Sequence, residues 1–316
     1  MAEEVYQGRR HKLHQASERV KWKRFTEAAE KWFRLDDSIL TRFEEKLGEG
    51  AKRVPRLEMR ESERPFALFV SLQDLHLGMY SEAGYDMAEA ERRAVTCLQD
   101  ILDRLPGRPE VIHFTIGGDV THADGLRAAT TKGTPLDTDG NPGEHLERVV
   151  DLMVMVIDLL RQIARVVGHP VPGNHGRAND LATQLYLFAW YRKADDVEIR
   201  RSRAERTYFE YGATTIGMCH GDGVKPSELG PLMAVEAREA WGRTRHHVWF
   251  TGHLHHLTAQ EIGGITHYLL PSLTEPDRWH RHHGFVTGEP SMMAFLVDAE
   301  DGVVSWLRSV VRKEAA

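Results

Sequence analysis

The sequence predicts an α/β fold in which buried strands alternate with amphipathic helices, preceded by a charged helical arm. Three observations predict it. Short apolar runs such as Phe66-Ala-Leu-Phe-Val-Ser-Leu72 and Val111-Ile-His-Phe-Thr-Ile116 are bounded by proline, glycine and polar residues, as buried strands are. Between these runs lie stretches of helical period, roughly 88–105 and 144–167. The runs also end in turns that release Asp, Asn or His, which is where open α/β sheets present ligand groups.

Length and charge set the outer bounds. A chain of 316 residues with 41% apolar content can bury a full core, and one large domain with an appendage is expected. The division predicted is a helical extension and linker over 1–64 and a main domain over 65–316. Lys and Arg number 16 against 13 Asp and Glu up to Arg64, and 25 against 34 beyond it, so an acidic body carries a mildly basic arm. The net charge of −6 argues against a generally basic nucleic-acid binder. A metal site, however, can neutralise phosphates without excess lysine and arginine. Two cysteines, Cys97 and Cys219, are too few for a disulfide framework and point to a reducing compartment. The start Met-Ala-Glu-Glu lacks the basic and apolar segments of a signal peptide, and no run of 18 apolar residues occurs. A cytoplasmic protein without membrane contact is expected.

Taken in order, residues from about His14 to Leu47 carry Val20, Trp22, Phe25, Ala29, Trp32, Phe33, Ile39, Leu40 and Phe43 mostly three or four apart, which predicts one or two helices. Gly48-Glu-Gly50 stops that pattern, and a charged linker runs to Pro65. The arm is either a contact element for substrate or a protein partner, or an appendage packed on the main domain. The first strand ends in Gln73-Asp-Leu-His-Leu-Gly78, and the second in Gly117-Gly-Asp-Val-Thr-His122. Residues 123–143 lack periodicity, a length that marks a substrate loop or a surface excursion, with Lys132 available to a phosphate. After the second helix, Gly168-His-Pro-Val-Pro-Gly delivers Asn174 and His175. Asp180 is the predicted N-cap of a helix to about Ala194. Strands follow at 207–211 and 214–219, the latter running into His220-Gly-Asp-Gly223, and then a helix around 231–241. His247-Val-Trp-Phe-Thr leads to Gly252-His-Leu-His-His256, Ile262-Gly-Gly-Ile reads as a hairpin turn before a strand at Tyr268, and 292–297 with 303–311 form a closing antiparallel pair.

Five strand-to-loop junctions therefore carry D-x-H (Asp74, His76), G-G-D (Asp119), G-N-H (Asn174, His175), His220 before a glycine, and G-H-x-H (His253, His255). Each alone could be an incidental cluster. The ordered series, from about Phe66 to His255, resembles the calcineurin-like metallophosphoesterase superfamily. The resemblance implies a β-sandwich of two mixed sheets flanked by helices. It also implies two divalent metal ions, with Asp119 bridging them, Asp74, His76 and His255 completing one site, and Asn174, His220 and His253 the other. Manganese is the metal implied, and such mixed carboxylate, amide and imidazole ligands also suit iron or zinc.

Two more residues are assigned through the resemblance. His175 matches the histidine that contacts the substrate phosphate and protonates the leaving oxygen, although Gly176 stands where the family usually has an acid that orients it. His122 makes the form G-D-x-x-H, similar to the DNA-repair exonuclease branch, where that histidine lies near the substrate phosphate; the alternative is a loop histidine satisfied by its neighbours. Arg278, Trp279 and Arg281, in Asp277-Arg-Trp-His-Arg-His-His-Gly284, offer guanidiniums and an indole to a phosphate backbone and a base, or else belong to a solvated loop.

The physical logic is that phosphodiester cleavage needs an activated water and a means of holding phosphoryl charge, and two ions about 3.5–4 Å apart supply both. The expected function is a dinuclear-metal-dependent phosphodiesterase, in its sharpest form a nuclease on DNA or RNA. A small phosphodiester, a cyclic nucleotide or a phosphoprotein are the alternative substrates. A non-catalytic binding module is a further alternative, against which stands the filling of every ligand position.

Overall fold

Alternation along the first strand sets the layering. In the computed structural model, which describes residues 48, 50–276, 278, 281, 284 and 288–312, β1 spans Phe66–Val70. Successive residues of a strand face opposite sides. Phe66, Leu68 and Val70 accordingly join one apolar cluster with helices α1 (Met87–Asp103) and α2 (Pro142–Arg161), while Ala67 and Phe69 join a second. That second cluster takes Phe209, Ile216, Met218, Val248 and Phe250 from a separate sheet, and Phe69 stacks on Phe250 at 4.0 Å between ring centroids. Burying aromatic side chains of this kind contributes about 1.5–3 kcal/mol each. The layers are thus helices, sheet, sheet, helices.

Both sheets are mixed. The first has six strands in the order β11 (Gly302–Val310), β10 (Ser291–Asp298), β1, β2 (Val111–Gly117), β3 (Arg165–Val171), β4 (Val197–Ile199). Strands β1 to β4 are parallel, and β10 and β11 close the edge antiparallel. The second has five, in the order β5 (Thr207–Tyr211), β6 (Thr214–Cys219), β7 (His246–Thr251), β9 (Ile265–Leu269), β8 (Thr258–Ile262), with β6, β7 and β9 parallel. Its outer face holds Trp249 and Cys219 against Leu229 and Met233 of α4 (Pro226–Glu236). Helix α3 (Arg177–Trp190) and the short α5 (Arg238–Arg243) complete the elements. Two mixed sheets flanked by helices is the architecture the sequence resemblance implies.

The departures from expectation have local causes. The helix expected to reach 167 ends at Arg161, because Val166 and Val167 pair instead with Ile112 and His113 of β2, where β-branched side chains suit the pleat. The helix expected around 231–241 is two helices; α4 begins earlier, at Pro226, whose fixed φ suits a first turn. Asp180 is not an N-cap. Gly176 holds that position, and the Asp180 side chain turns inward.

Residues Ala51–Ala316 form one compact unit, and Met1–Gly50 another, whose predicted helices lie outside the described residues. Within the larger unit the linker is laced on by main-chain bonds from Ala51 N to Trp190 O, Leu57 N to Gln162 O and Arg108 N to Arg60 O. No helix among the described residues is long and apolar enough to cross a membrane.

Two histidines are buried between the sheets. His113 Nδ1 lies 2.9 Å from His169 Nε2, and both rings stack on Phe209. Burial pushes His113 down to about 3 and His169 well below its ordinary value. A depressed folded-state pKa gives stability that is present above the unfolded value near 6.5 and is lost as pH falls toward the folded one. His113 should therefore cost about 2 kcal/mol between pH 6.5 and 5, and His169 should add to the decline in the same direction. Urea unfolding of the metal-free protein at both pH values should show this decline, and the double variant His113→Leu/His169→Leu should show a shallower one. An unchanged slope in the double variant would assign the pH dependence to other groups.

Candidate metal centre

Five parallel strands deliver the site. β1, β2 and β3 in one sheet and β6 and β7 in the other release Asp74 and His76, Asp119, Asn174 and His175, His220, and His253 and His255. The loops after β1 and β2 are stitched together by bonds from Asp74 N to Gly118 O, His76 N to Asp119 O, Leu77 N to Val120 O and His122 N to Leu77 O. Across the sandwich, His253 N donates to Asp74 Oδ2 at 2.7 Å. His175 N donates to Asp119 Oδ1 at 2.7 Å.

The backbone at these turns is strained. Among the described residues, the non-glycine positions with positive φ are Asp74 (60°), His76 (47°), Asp119 (60°), His253 (74°) and His255 (56°). All five are predicted ligands. Left-handed backbone costs a non-glycine residue on the order of 1 kcal/mol or more, and it persists where the surroundings impose it, typically at working sites.

The side chains gather into two adjoining groups, Asp74, His76 and His255 in one and Asp119, His220 and His253 in the other, each with its ligand atoms within 4.8 Å of one another. Asp74 Oδ1 is 3.4 Å from His255 Nε2 and 3.9 Å from both His76 Nε2 and His220 Nδ1. His220 Nε2 is 2.9 Å from Asp119 Oδ2 and 2.9 Å from Asn174 Oδ1, so the amide joins the second group. Asp74 Oδ1 and His220 Nδ1 are buried without a hydrogen-bond partner. A buried polar atom without a partner calls for an explanation, and beside this cluster of acid and imidazole groups a metal ion would supply one for Asp74 Oδ1. Ligands about 2.0–2.2 Å from a common ion stand roughly 3–3.5 Å apart, so the donor set fits divalent cations.

Charge in the ion-free centre follows from burial and proximity. Burial alone would raise Asp119, but His220 and then His175 outweigh it and hold the carboxyl down at about 2. Asp74 likewise lies below its ordinary value, with burial overcome by His255 and His220. Burial opposes a charged His220, yet Asp119 and Asp74 lift it to about 9. His253 is pushed down by burial.

The remaining predicted residues are placed as follows. His175 Nδ1 donates to the carbonyl of His122 at 2.8 Å, which leaves Nε2 as the nitrogen that can exchange a proton. A side chain at Gly176 would meet Thr121 Oγ1 at 2.3 Å, so the acid usual in the resembled family has no room, and a main-chain carbonyl orients the histidine instead. His122 is buried, with Nδ1 3.3 Å from His76 Nδ1. Lys132, Arg278 and Arg281 are exposed, and Arg281 Nε donates to Pro276 O. Trp279 lies outside the described residues.

Three supporting roles escaped the sequence reading. Ser272 Oγ donates to Asp74 O at 2.7 Å, and Thr274 Oγ1 lies 3.5 Å from His255 Nδ1. Both follow β9, a further parallel strand at the same edge, so the strand read at Tyr268 could have directed attention to them. Asp180 takes Gly173 N at 2.8 Å and so fixes the turn before Asn174; burial and Asp119 raise its carboxyl to about 8.

No protein-family model matches the chain, and no curated protein does. Solved structures do resemble it. One is wild-type Vps29 complexed with zinc from Entamoeba histolytica, at 19% identity over 77% of this chain and 98% of that one, TM-score 0.32. Another is an archaeal phosphodiesterase, at 13% identity over 77% and 99%, TM-score 0.37. A third is a predicted phosphoesterase of Streptococcus pneumoniae, at 12% over 81% and 99%, TM-score 0.29. With TM-scores below 0.5, none of these likenesses bears on which residues act.

Two glycines show how little slack the centre has. A Cβ at Gly173 would stand 2.0 Å from Asp119 Oδ1, and one at Gly252 would stand 2.2 Å from Asp74 Oδ2. Gly173→Ala and Gly252→Ala should each displace a ligand carboxylate and lower divalent-metal affinity at least about tenfold. Calorimetric titration with manganese checks this. Parental affinity in both variants would mean that neither carboxylate holds metal.

Proposed function

We propose that this chain is a phosphodiesterase dependent on two divalent metal ions, with DNA or RNA as its substrate. The observation that carries the reading is the coincidence of the strained positions with the acid and imidazole groups that converge on one edge of the sandwich. Manganese is the metal proposed, with iron and zinc suited to the same donors. Bound there, the ions would supply a hydroxide nucleophile and neutralise charge on the phosphoryl group.

The chain's own residues divide the remaining work. Asp119, with one oxygen facing His220 Nε2, is the carboxylate proposed to join the two sites. His175 is the general acid: its Nδ1 proton is committed to the His122 carbonyl, so Nε2 serves the leaving oxygen. Lys132, Arg278 and Arg281 are exposed cations suited to phosphates beyond the scissile one, which is the feature that favours a polymer.

Asp119→Ala should abolish turnover of bis-p-nitrophenyl phosphate and lower bound metal, since it removes a ligand from both sites. Full metal content with full activity would remove Asp119 from the centre. His175→Ala should leave metal content intact and slow esters with poor leaving groups by about 10²–10⁴-fold, with a smaller loss on p-nitrophenyl esters. Equal losses on both would indicate phosphate binding rather than proton transfer.

Substrate class is tested with Arg278→Ala/Arg281→Ala. Cleavage of single-stranded DNA or RNA should weaken while the small diester is cleaved as before, and the dependence of polymer affinity on salt should flatten by about one in slope per lost contact. A double variant matching the parent on polymer and small diester alike, with the same salt response, would favour a small phosphodiester or a phosphoprotein.

A further inference from the structure

His122 is the residue of the centre whose surroundings depart most from what a phosphate contact needs. It is 1% exposed, and its side chain turns to a ligand rather than to open solvent. Its Nδ1 stands 3.3 Å from His76 Nδ1. The other nitrogen of His76, Nε2, lies 3.1 Å from His255 Nε2 and 3.9 Å from Asp74 Oδ1, so Nε2 is on the ligand side of the ring and Nδ1 is on the far side.

We propose that His122 is a positioning residue of the metal centre, holding His76 through the ring nitrogen that faces away from the ion. The assignment rests on the metal-dependent reading above. A ligating imidazole is neutral and keeps one proton. With Nε2 given to the ion, that proton sits on His76 Nδ1 and is donated to His122 Nδ1. His122 then carries its own proton on Nε2, and no charge is left buried. The loop backbone enforces the approach, because His122 N donates to Leu77 O, one residue after His76.

The same residue sets a second histidine. Its carbonyl accepts the Nδ1 proton of His175 at 2.8 Å, so side chain and main chain of His122 fix the tautomers of a ligand and of the proposed acid at once. His76, His122 and His175 also stand close enough together to suggest a third cation. An ion there would require His76 to give both ring nitrogens as an imidazolate, and the hydrogen-bonded arrangement needs no such deprotonation.

Substitutions can separate these roles, because an asparagine amide overlays the Nδ1 position of histidine, a glutamine amide overlays Nε2, and phenylalanine fills the space with neither. Manganese affinity by calorimetry and the absorption spectrum of the cobalt-loaded protein are measured on the parent, His122→Asn, His122→Gln and His122→Phe. Melting temperatures of the four metal-free proteins report folding separately. His122→Phe and His122→Gln should weaken the first site about 10–100-fold, and His122→Asn should restore it to within about threefold. Parental affinity in His122→Phe would overturn the proposal while leaving the metal-dependent reading intact. So would turnover restored by glutamine but not asparagine at unchanged affinity, which would return His122 to a substrate phosphate. A third equivalent of metal in the parent, lost in all three variants, would also overturn it. A parent that binds no divalent ion would overturn this role together with the reading on which it rests.

Discussion

The centre depends on a bond between the sheets. His253 N donates to Asp74 Oδ2, so a main-chain group on the loop after β7 takes a carboxylate on the loop after β1. Because Gly252 leaves no space for even a methyl group beside that oxygen, the contact is set by how closely the two sheets pack. That packing is the aromatic interior, where Phe69, Phe250 and Phe295 hold β1, β7 and β10 at a fixed separation. Interiors of this density do not deform by fractions of an ångström without loss. The hydrophobic core therefore also acts as a distance gauge for the candidate ligands above it.

Order at the ligand loops comes from the same scaffold. Asp74, His76 and Asp119 are held in left-handed backbone by ladder-like bonds between the loops after β1 and β2, and His253 is held by its own N–H on Asp74. Asp180 clamps the turn before Asn174 from beneath, and Ser272 holds the carbonyl of Asp74 from the side. Strain sustained by this many independent restraints is a sign of preorganisation, in which the ligand geometry exists before anything binds.

The fold class was legible because strand burial and glycine turns are local signals. Phe66–Val70 and Val111–Gly117 lie where apolar runs place them, and the candidate ligands follow the runs that carry them. What the sequence concealed depends on contacts across the chain. The strand at Arg165–Val171 looked like the end of a helix, since Val166 and Val167 are recognisable as strand only once β2 lies beside them. Asp180 looked like a cap because its burial beneath the turn at Gly173 is a tertiary fact. Gly176, where the resembled family usually has an acid, left the orientation of His175 open in the sequence. Only the meeting of Gly176 with Thr121, and of His175 with the carbonyl of His122, reveals another way to orient the same ring.

Electrostatics completes the case for cations. The centre buries two carboxylates, Asp74 and Asp119, that stay ionised despite desolvation, and the ion-free protein balances them partly with a protonated His220 held at about 9. A proton on His220 blocks the lone pair that a metal needs. An ion held by His220 would have to displace that proton and would replace it as countercharge to the same two acids. Asp180 sits below, its carboxyl raised to about 8 first by burial and then by the charge of Asp119, so a third acid beside the centre is held towards its neutral form. Divalent ions bound there would add countercharge to both acids and would satisfy the orphaned oxygen of Asp74.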